Sequence, residues 1–438
     1  NQFLLLLEDK IDEMDEDTHI YHNFMLCKER FERWTEKGTN PSQVLDALTK
    51  LEIVEIVLTK GEDDPQVIFE SINSTGLELS SADLIRNYLL MNADDQEKLY
   101  ENYWLYIEKT LRNKMDYSNL DAFFMQYIVY KTSKPVNNRQ LYNSFVKLFK
   151  DSGYSQESIL KELRYYAEIF GVFVYGSDKY SERINKLLYR LRVLNQTTCY
   201  PFLLHVFDDY HQGVITEETV EKILQFILAY LLRRMVCGVP SNTLRGLFTY
   251  LYNRIFKVAS NKQKYYETLN KFLFTVSSKD VIPSAAEFER ALQKANIYGN
   301  NALCRFLLLD IENGDGKEIL QAENLTIEHI MPQTLSADWI HIRPEDHEEY
   351  LHTLGNLSVT GYNSELSNKS FSEKQAIIRE NSKAVILNSD VLDKENWTVA
   401  DIQARAKRLA EIVLTRYKID RVLDDSIEFE YIETLTLD

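Results

Sequence analysis

The shortage of glycine and proline is the feature that most constrains how this chain can fold. Only 14 glycines and 8 prolines occur among 438 residues, less than half of the share that globular proteins usually contain. Turns depend heavily on both residue types, so few turns and long regular elements are expected. Apolar residues with helical spacing run through most of residues 96–295. The sequence therefore predicts a mainly α protein with a helical bundle as its body.

Local signals place some elements of this body. Residues 51–58 are apolar and β-branched and predict a buried strand, and residues 73–76 indicate a turn. Three residues have the side chains and acidic neighbours of helix N-caps: Ser80, Ser118 and Thr216. The pattern changes after about residue 296. There, LTIEHIMP and LGNLSVT predict two short strands, and SFSEKQAIIREN predicts a helix capped by Ser370 or Ser372. A small α+β domain is therefore expected after the helical body.

The net charge of −17 argues against a nucleic-acid partner until its distribution is considered. Segments 1–20 and 419–438 each contain seven acidic residues and one basic residue, which gives −6 for each. Residues 296–418 contain 19 acidic and 13 basic residues, again −6, so residues 21–295 carry +1. Within the C-terminal region, residues 363–383 contain three acids and four bases. This distribution permits DNA contact there, and the two terminal segments are expected to be solvated.

Cysteine usage and hydropathy favour a cytoplasmic protein without a membrane span. The four cysteines are far apart and lack zinc-site spacing: Cys27, Cys199, Cys237 and Cys304. We expect them to be free thiols in a reducing compartment. The most hydrophobic stretch, residues 223–236, contains Arg233 and Arg234 and is too short to cross a bilayer. Because the chain opens inside a helical pattern at Asn1, we also expect an upstream segment.

Glu328 and His329 are the first candidates for chemistry, since they lie at a predicted strand end before Pro332. Neighbouring strand residues point to opposite faces, so both reach one site only at an end or bulge. Phosphodiester hydrolysis needs a base, a hard divalent cation and a group that stabilises the leaving oxygen. Histidine suits the first role, Glu and Asn oxygens the second, and lysine can hold phosphate. The alternative is a surface strand with a structural histidine.

The string IEHIMPQ…LGNLSVTGYNSELSNKSFSEK resembles the C-terminal HNH-type (ββα-metal) nuclease domain of GmrSD-type modification-dependent restriction endonucleases. ENWTVADIQARAKRLAEIVLTRY is similar to the closing helix of that domain. PQVIFESINSTGLELSSADLIRNYLLM resembles the end of the ParB/sulfiredoxin-like domain that precedes the nuclease in the same proteins. The two motifs occur in the expected order, which strengthens the resemblance.

The resemblance implies roles for individual residues. His329 would be the general base, and Glu328 a metal ligand where the family often has Asp. Asn356 would orient the imidazole or brace the loop, and Asn363 would be the second ligand of Mg²⁺ or Mn²⁺. Lys374 would approach the scissile phosphate. Two further DNA-contacting candidates precede it: Asn368 and Lys369.

The same resemblance implies a domain order. Residues 1–95 would be the C-terminal part of the ParB/sulfiredoxin-like domain, 96–295 a helical linking domain, 296–418 the HNH-like nuclease domain and 419–438 an acidic tail. The Asp-Gly-Gln-Gln-Arg type motif linked to nucleotide binding in the family does not occur here. Nucleotide hydrolysis is therefore not expected from this chain, and an NTP could act only through an upstream segment.

The leading hypothesis is a metal-dependent DNA endonuclease of an anti-phage restriction system that cuts modified DNA, with homo-oligomerisation open. The alternatives are a non-catalytic interaction module with a degenerate HNH fold, and an enzyme governed by nucleotide. Metal titration at Glu328 and Asn363 separates the first two. Polar neighbours predict an exposed loop, rather than a metal site, for three further histidines: His341, His347 and His352.

Overall fold

The computed structural model describes residues 2–52, 55, 79–91, 93, 95–111, 118–256, 258–276, 279–314, 320, 325–361 and 366–429. The predicted turn at 73–76 and most of the predicted strand at 51–58 lie outside these residues. So does Asn363, the predicted second metal ligand.

The chain divides into two compact units. The first comprises Asn1–Phe124 and Asn138–Arg164, and the second comprises Met125–Asn137 and Tyr165–Asp438. The helices up to residue 175 are α1 (Gln2–Leu7), α2 (His19–Glu36), α3 (Pro41–Leu48), α4 (Ser81–Leu90), α5 (Gln96–Leu99), α6 (Leu105–Leu111), α7 (Ser118–Thr132), α8 (Leu141–Ser152) and α9 (Gln156–Tyr175). A π-helical turn, Tyr100–Trp104, joins α5 to α6. The boundaries of the four predicted domains stay a prediction.

Polar side chains bind free N–H groups at the start of α4. Ser80 caps α4 as predicted, because its side chain accepts a hydrogen bond from the backbone N–H of Asp83. Asp121 lies in the first turn of its own helix, α7, as the sequence predicts. Its carboxylate also accepts the backbone N–H of Ala82, at 2.7 Å, in the first turn of α4. An acidic side chain there binds an N–H that has no partner within the helix.

The helical body of the second unit continues with α10 (Glu182–Val193), α11 (Tyr200–His211), α12 (Glu217–Val236), α13 (Asn242–Phe256), α14 (Tyr265–Thr275), α15 (Ala285–Lys294) and α16 (Asn301–Asn313). Thr216 caps α12 as predicted, by accepting the backbone N–H of Thr219. Arg233 and Arg234 of α12 are buried and donate to backbone carbonyls, including those of Pro283 and Lys279. Among the described residues, no helix has the length and apolar character needed to cross a membrane.

A polar network lies inside this body. The hydroxyls of Tyr252 and Tyr265 donate to Asp209 of α11, at 2.6 and 3.0 Å. Lys262 Nζ also contacts Asp209, at 3.0 Å. One turn earlier on α11, the ring of His205 stacks on that of Tyr252, with centroids 3.9 Å apart. The network gives each buried polar atom a partner, which burial requires.

The C-terminal part contains the described strands, β1 (Thr326–His329) and β2 (Leu357–Thr360), which form an antiparallel pair with Glu328 opposite Ser358. The helices around them are α17 (Pro344–Tyr350), α18 (Phe371–Asn381), α19 (Val385–Leu392) and α20 (Val399–Arg416). Ser370 caps α18 through a capping box. The predicted order of strand, strand and helix is confirmed, as is the mainly α fold with a small C-terminal α+β region.

Three details of this region differ from the sequence prediction. Both strands are shorter than predicted, and Leu354–Asn356 forms a 3₁₀ turn before β2. The predicted long loop between the strands contains α17. Part of the predicted acidic tail is packed, since Ile427 is buried and Lys264 Nζ lies 2.7 Å from Asp424.

Candidate functional site

The site begins at the C-terminal end of β1. Glu328 and His329 are its last two residues, and each residue is only 4% exposed. The backbone N–H of Ile330 donates to the carbonyl of Asn356 at 2.9 Å, which extends the pairing past the strand end. The antiparallel pair of β1 and β2, called the hairpin below, thus fixes the backbone of both candidate residues inside the protein.

Glu328 forms a buried ion pair. Lys374, from α18, is fully buried, and its Nζ lies 2.6 Å from Glu328 Oε1. The same ammonium donates to the backbone carbonyl of His329 at 2.7 Å. Burial raises the pKa of Glu328 and lowers that of Lys374, and the attraction between the two charges opposes both shifts. The pair joins α18 to the end of β1.

His329 contacts a different set of side chains, as expected for the next residue of a strand. Its Nε2 lies 3.1 Å from His352 Nδ1, and its Nδ1 lies 3.4 Å from Gln333 Nε2. The edge of the Tyr298 ring also packs against it. Burial lowers the pKa of His329 to about 3, with smaller contributions from His352 and Lys374. The imidazole is therefore neutral near physiological pH.

The side chains of the other three histidines of this region have hydrogen-bond partners, and two of them are half-buried. His352 and His347 are half-buried, so the exposed-loop prediction is wrong for both. His347 Nε2 lies 2.9 Å from the carbonyl of Pro332. His341 is exposed as predicted, although its Nε2 lies 3.0 Å from the carbonyl of Trp397.

Asn356 is completely buried and braces the hairpin. Its Oδ1 accepts the backbone N–H of Met331 at 2.7 Å and the indole N–H of Trp397 at 3.3 Å. Its Nδ2 donates to the carbonyls of Met331 and Leu351, at 3.0 and 2.9 Å. These four bonds use the hydrogen-bonding capacity of the amide. Asn356 thus connects the end of β1 to the loop before β2, and its part in catalysis stays a prediction.

Sequence reasoning missed Arg405, which lies 1% exposed on α20. Its guanidinium donates to the backbone carbonyls of Leu354, Gly355, Leu357 and Leu387. Burial lowers its pKa to about 10. A detectable signal existed, because Arg405 occupies the apolar stripe of its helix together with Ile402 and Leu409.

The remaining predicted site residues make none of the contacts with Glu328, His329 or Lys374 that are described above. Asn368 and Lys369 are exposed just before α18, and their part in DNA binding stays a prediction. The metal assignment stays a prediction, because its second ligand, Asn363, lies outside the residues that the structure describes. Within the described ranges, no group of three or more His, Cys, Asp or Glu side chains could hold a metal ion. Glu328 already has Lys374 as its cationic partner.

Comparison with known proteins identifies the region that contains this site. The family model of the C-terminal domain of GmrSD restriction endonucleases matches residues 282–412. The matched region includes the hairpin, α18 and most of α20. The search of curated proteins finds no match. The match agrees with the predicted resemblance to the GmrSD type for this part of the chain. The ParB-like resemblance of the N-terminal part stays a prediction.

Proposed function

We propose that this protein is a restriction endonuclease that hydrolyses phosphodiester bonds in foreign DNA, with His329 as the general base. The observation that carries the proposal is the match at residues 282–412, which encloses a buried, neutral histidine at a strand end. A neutral imidazole near physiological pH has a free lone pair and can accept a proton. The bundle-and-hairpin fold holds that imidazole in a fixed frame, as a general base requires.

In the proposed reaction, a ring nitrogen of His329 takes a proton from water while the water oxygen bonds to phosphorus. The bond from phosphorus to the leaving oxygen breaks, and the electron pair stays on that oxygen, which takes a proton from solvent. The buried ammonium of Lys374 supports the reaction by holding the backbone of His329 in place. Its predicted approach to the phosphate requires the ion pair with Glu328 to open.

Four finer properties belong to this proposal. The substrate is modified phage DNA, the enzyme needs Mg²⁺ or Mn²⁺, it acts in the cytoplasm, and it can form homo-oligomers. A divalent ion would neutralise charge on the phosphate. Glu328 and Asn363 would hold the ion, and the described residues contain no group of three or more His, Cys, Asp or Glu side chains that could do so.

The test is cleavage of phage DNA with modified bases, and of the same DNA without them, in Mg²⁺ or Mn²⁺ buffer. We expect cleavage by the wild-type protein and loss of cleavage in His329→Ala. His341→Ala is the matched control, because His341 is exposed and contacts neither His329 nor Glu328 through the bonds described above. Absence of any cleavage that depends on His329, with either metal, refutes the proposal.

A non-catalytic interaction module is the competing function. The Glu328–Lys374 pair favours it, since a carboxylate that is already neutralised has less need of a metal. Calorimetry with Mn²⁺ separates the two functions. Heat of binding that is lost in Glu328→Gln, at a temperature where circular dichroism shows this variant to be folded, supports the nuclease. No binding to the wild-type protein supports the module.

A further inference from the structure

Three aromatic rings from separate parts of the chain meet at His329. The rings of Tyr298, which follows α15, and His352, which follows α17, are stacked, with centroids 5.0 Å apart and an interplanar angle of 7°. The Tyr298 ring meets His329 edge-on at 4.6 Å. The third contact is the 3.1 Å bond between His329 Nε2 and His352 Nδ1. Each ring therefore contacts the other two.

Backbone bonds fix the position of His352 independently of its ring. Its carbonyl accepts the N–H of Ile297 at 3.0 Å and that of Tyr298 at 3.4 Å. Thr353, the next residue, is buried, and its hydroxyl donates to the carbonyl of Tyr350. The ring of His352 is thus held by stacking and by its backbone, and only its Nδ1 is used on His329.

The contact between the two histidines determines which nitrogen of His329 can act as a base. A neutral imidazole has one N–H and one lone pair, so one ring donates and the other accepts. When His329 donates from Nε2, its lone pair lies on Nδ1. The neighbour of Nδ1 is Gln333 Nε2, at 3.4 Å, beyond the range of about 2.7–3.2 Å typical of a good hydrogen bond. Water can displace so weak a partner.

We propose that His352 is a positioning residue of the site, which accepts the Nε2 proton of His329 and so directs the Nδ1 lone pair of His329 towards the attacking water. Tyr298 holds His352 in this role by stacking. The inference rests on the proposed nuclease function for its consequence in catalysis, but the contact itself can be measured without DNA. The orientation of a base by a third group is a general requirement of such sites.

Two variants of His352 separate the effect of its hydrogen-bonding nitrogen from the effect of its aromatic ring. In His352→Asn, the side-chain amide places a polar atom at the same bond distance from Cα as Nδ1, so the contact with His329 can persist. In His352→Phe, the ring and its stacking on Tyr298 persist, but the acceptor is lost. We expect His352→Asn to keep kcat close to the wild-type value. We expect His352→Phe to lower kcat by about 10- to 100-fold, part of the 10²–10⁴-fold that a general base contributes, with KM little changed.

A spectroscopic measurement tests the same contact without any activity. Long-range ¹H–¹⁵N spectra of histidine-labelled protein report which ring nitrogen carries the proton, and the signals of His329 are assigned by their loss in His329→Ala. We expect His329 to be protonated on Nε2 in the wild type and in His352→Asn. In His352→Phe, we expect a mixture of the two forms. Equal thermal midpoints of the two variants show that both are folded.

The outcomes are distinguishable from failure of the nuclease proposal. If the wild type cleaves DNA but His352→Phe keeps full kcat, or if His329 carries its proton on Nδ1, the inference is wrong. If the wild type does not cleave DNA, the spectra still decide whether His352 fixes the proton of His329. Loss of the preference in His352→Phe then supports the contact, and unchanged His329 signals overturn it.

Discussion

Arg405 is a buried cation whose donors are all directed at backbone carbonyls of the hairpin and of α19. Its planar guanidinium spans several carbonyls at once, whereas the lysine ammonium has three donors at a single point. We expect Arg405→Lys and Arg405→Met each to lower the free energy of unfolding by about 2–5 kcal/mol, because carbonyls in the interior lose their partners. Urea unfolding monitored by circular dichroism measures this.

Arg408 provides the control, one turn along the same helix. It is partly exposed and pairs with Asp390, so Arg408→Met is expected to cost no more than about 1 kcal/mol. Equal losses in Arg405→Met and Arg408→Met would contradict the structural role assigned to Arg405.

The pair of Glu328 and Lys374 leads to a second prediction. Removing one member leaves a buried charge without its partner, which costs about 3–5 kcal/mol. We expect Glu328→Gln and Lys374→Met each to be strongly destabilising, and the double variant to be more stable than the sum of the two losses implies. Urea unfolding of the four proteins gives the coupling energy as a double-mutant cycle.

An exposed ion pair is the reference for that cycle. Glu218 and Lys222 lie one turn apart on α12, and their side chains are 75% and 56% exposed. Because solvent screens both exposed charges, their coupling is expected to be small. If the buried pair couples no more strongly than the exposed pair, the joining of α18 to β1 by this ion pair is refuted.

Individual site residues were predictable where their signals are local in sequence, and they were missed where they depend on distant partners. His329 was predicted because it precedes Pro332 at a strand end and lies within a recognisable motif. The role of His352 was not predicted, since its partners His329 and Tyr298 are far away in sequence. Arg405 was missed for the same reason, because its carbonyl partners belong to a hairpin and a helix formed elsewhere.

Secondary-structure elements were predictable where their end signals are local. The sequence predicted Thr216 as one cap and either Ser370 or Ser372 as another, and the structure has Thr216 and Ser370 in these positions. Helix α17 was missed although Pro344 at its first position, followed by acidic residues, is a typical helix start. The length of β2 was overestimated because residues 354–356 form a 3₁₀ turn, which packs closely against α20.

Gly355 is the position where α20 approaches this turn most closely. A Cβ atom built on Gly355 would overlap the backbone carbonyl oxygen of Ile402 and would lie 2.9 Å from Ala406 Cβ. Gly355→Ala therefore forces the helix away from the hairpin, and we expect it to lower the free energy of unfolding by about 1–3 kcal/mol. Thermal or urea unfolding checks this.

Gly246 is the control for Gly355, because an alanine at this position is expected to stabilise the protein. It lies within α13, and no atom would be within 4 Å of an added Cβ. Gly246→Ala should stabilise the protein by about 0.4–1 kcal/mol, because alanine loses less backbone entropy in a helix. The close approach at Gly355 is disproved if the two alanine variants shift stability in the same direction and by similar amounts.

For the molecule as a whole, the surface available to a partner depends on where the charges lie rather than on the net charge of −17. Part of the acidic C-terminal segment is bound to lysines of the helical body, including Lys264 and Lys271. Its charge is therefore partly neutralised within the protein rather than presented to solvent as one block. The fold class followed from the scarcity of glycine and proline, but these long-range contacts could not be deduced from composition or helical periodicity.

Stability towards acid is a property of the whole molecule, and it depends on histidines that the fold keeps neutral. Burial lowers the pKa of His205 to about 3, with a further contribution from the charge of Lys262. The unfolded chain has an ordinary histidine pKa of about 6.5 and binds a proton that the folded protein does not. The contribution of His205 to stability is therefore complete above pH 6.5 and decreases as the pH falls from 6.5 towards 3.

His205→Phe tests this dependence, because phenylalanine keeps a ring against Tyr252 and Tyr130 but cannot take up a proton. Between pH 6 and 4, we expect the free energy of unfolding of the wild type to fall more steeply than that of the variant, by at most about 1.4 kcal/mol per pH unit. Urea unfolding at several pH values measures both slopes. At pH 8 the two proteins should differ by a constant amount only. Parallel curves across the acidic range would show that the fold does not lower the pKa of His205.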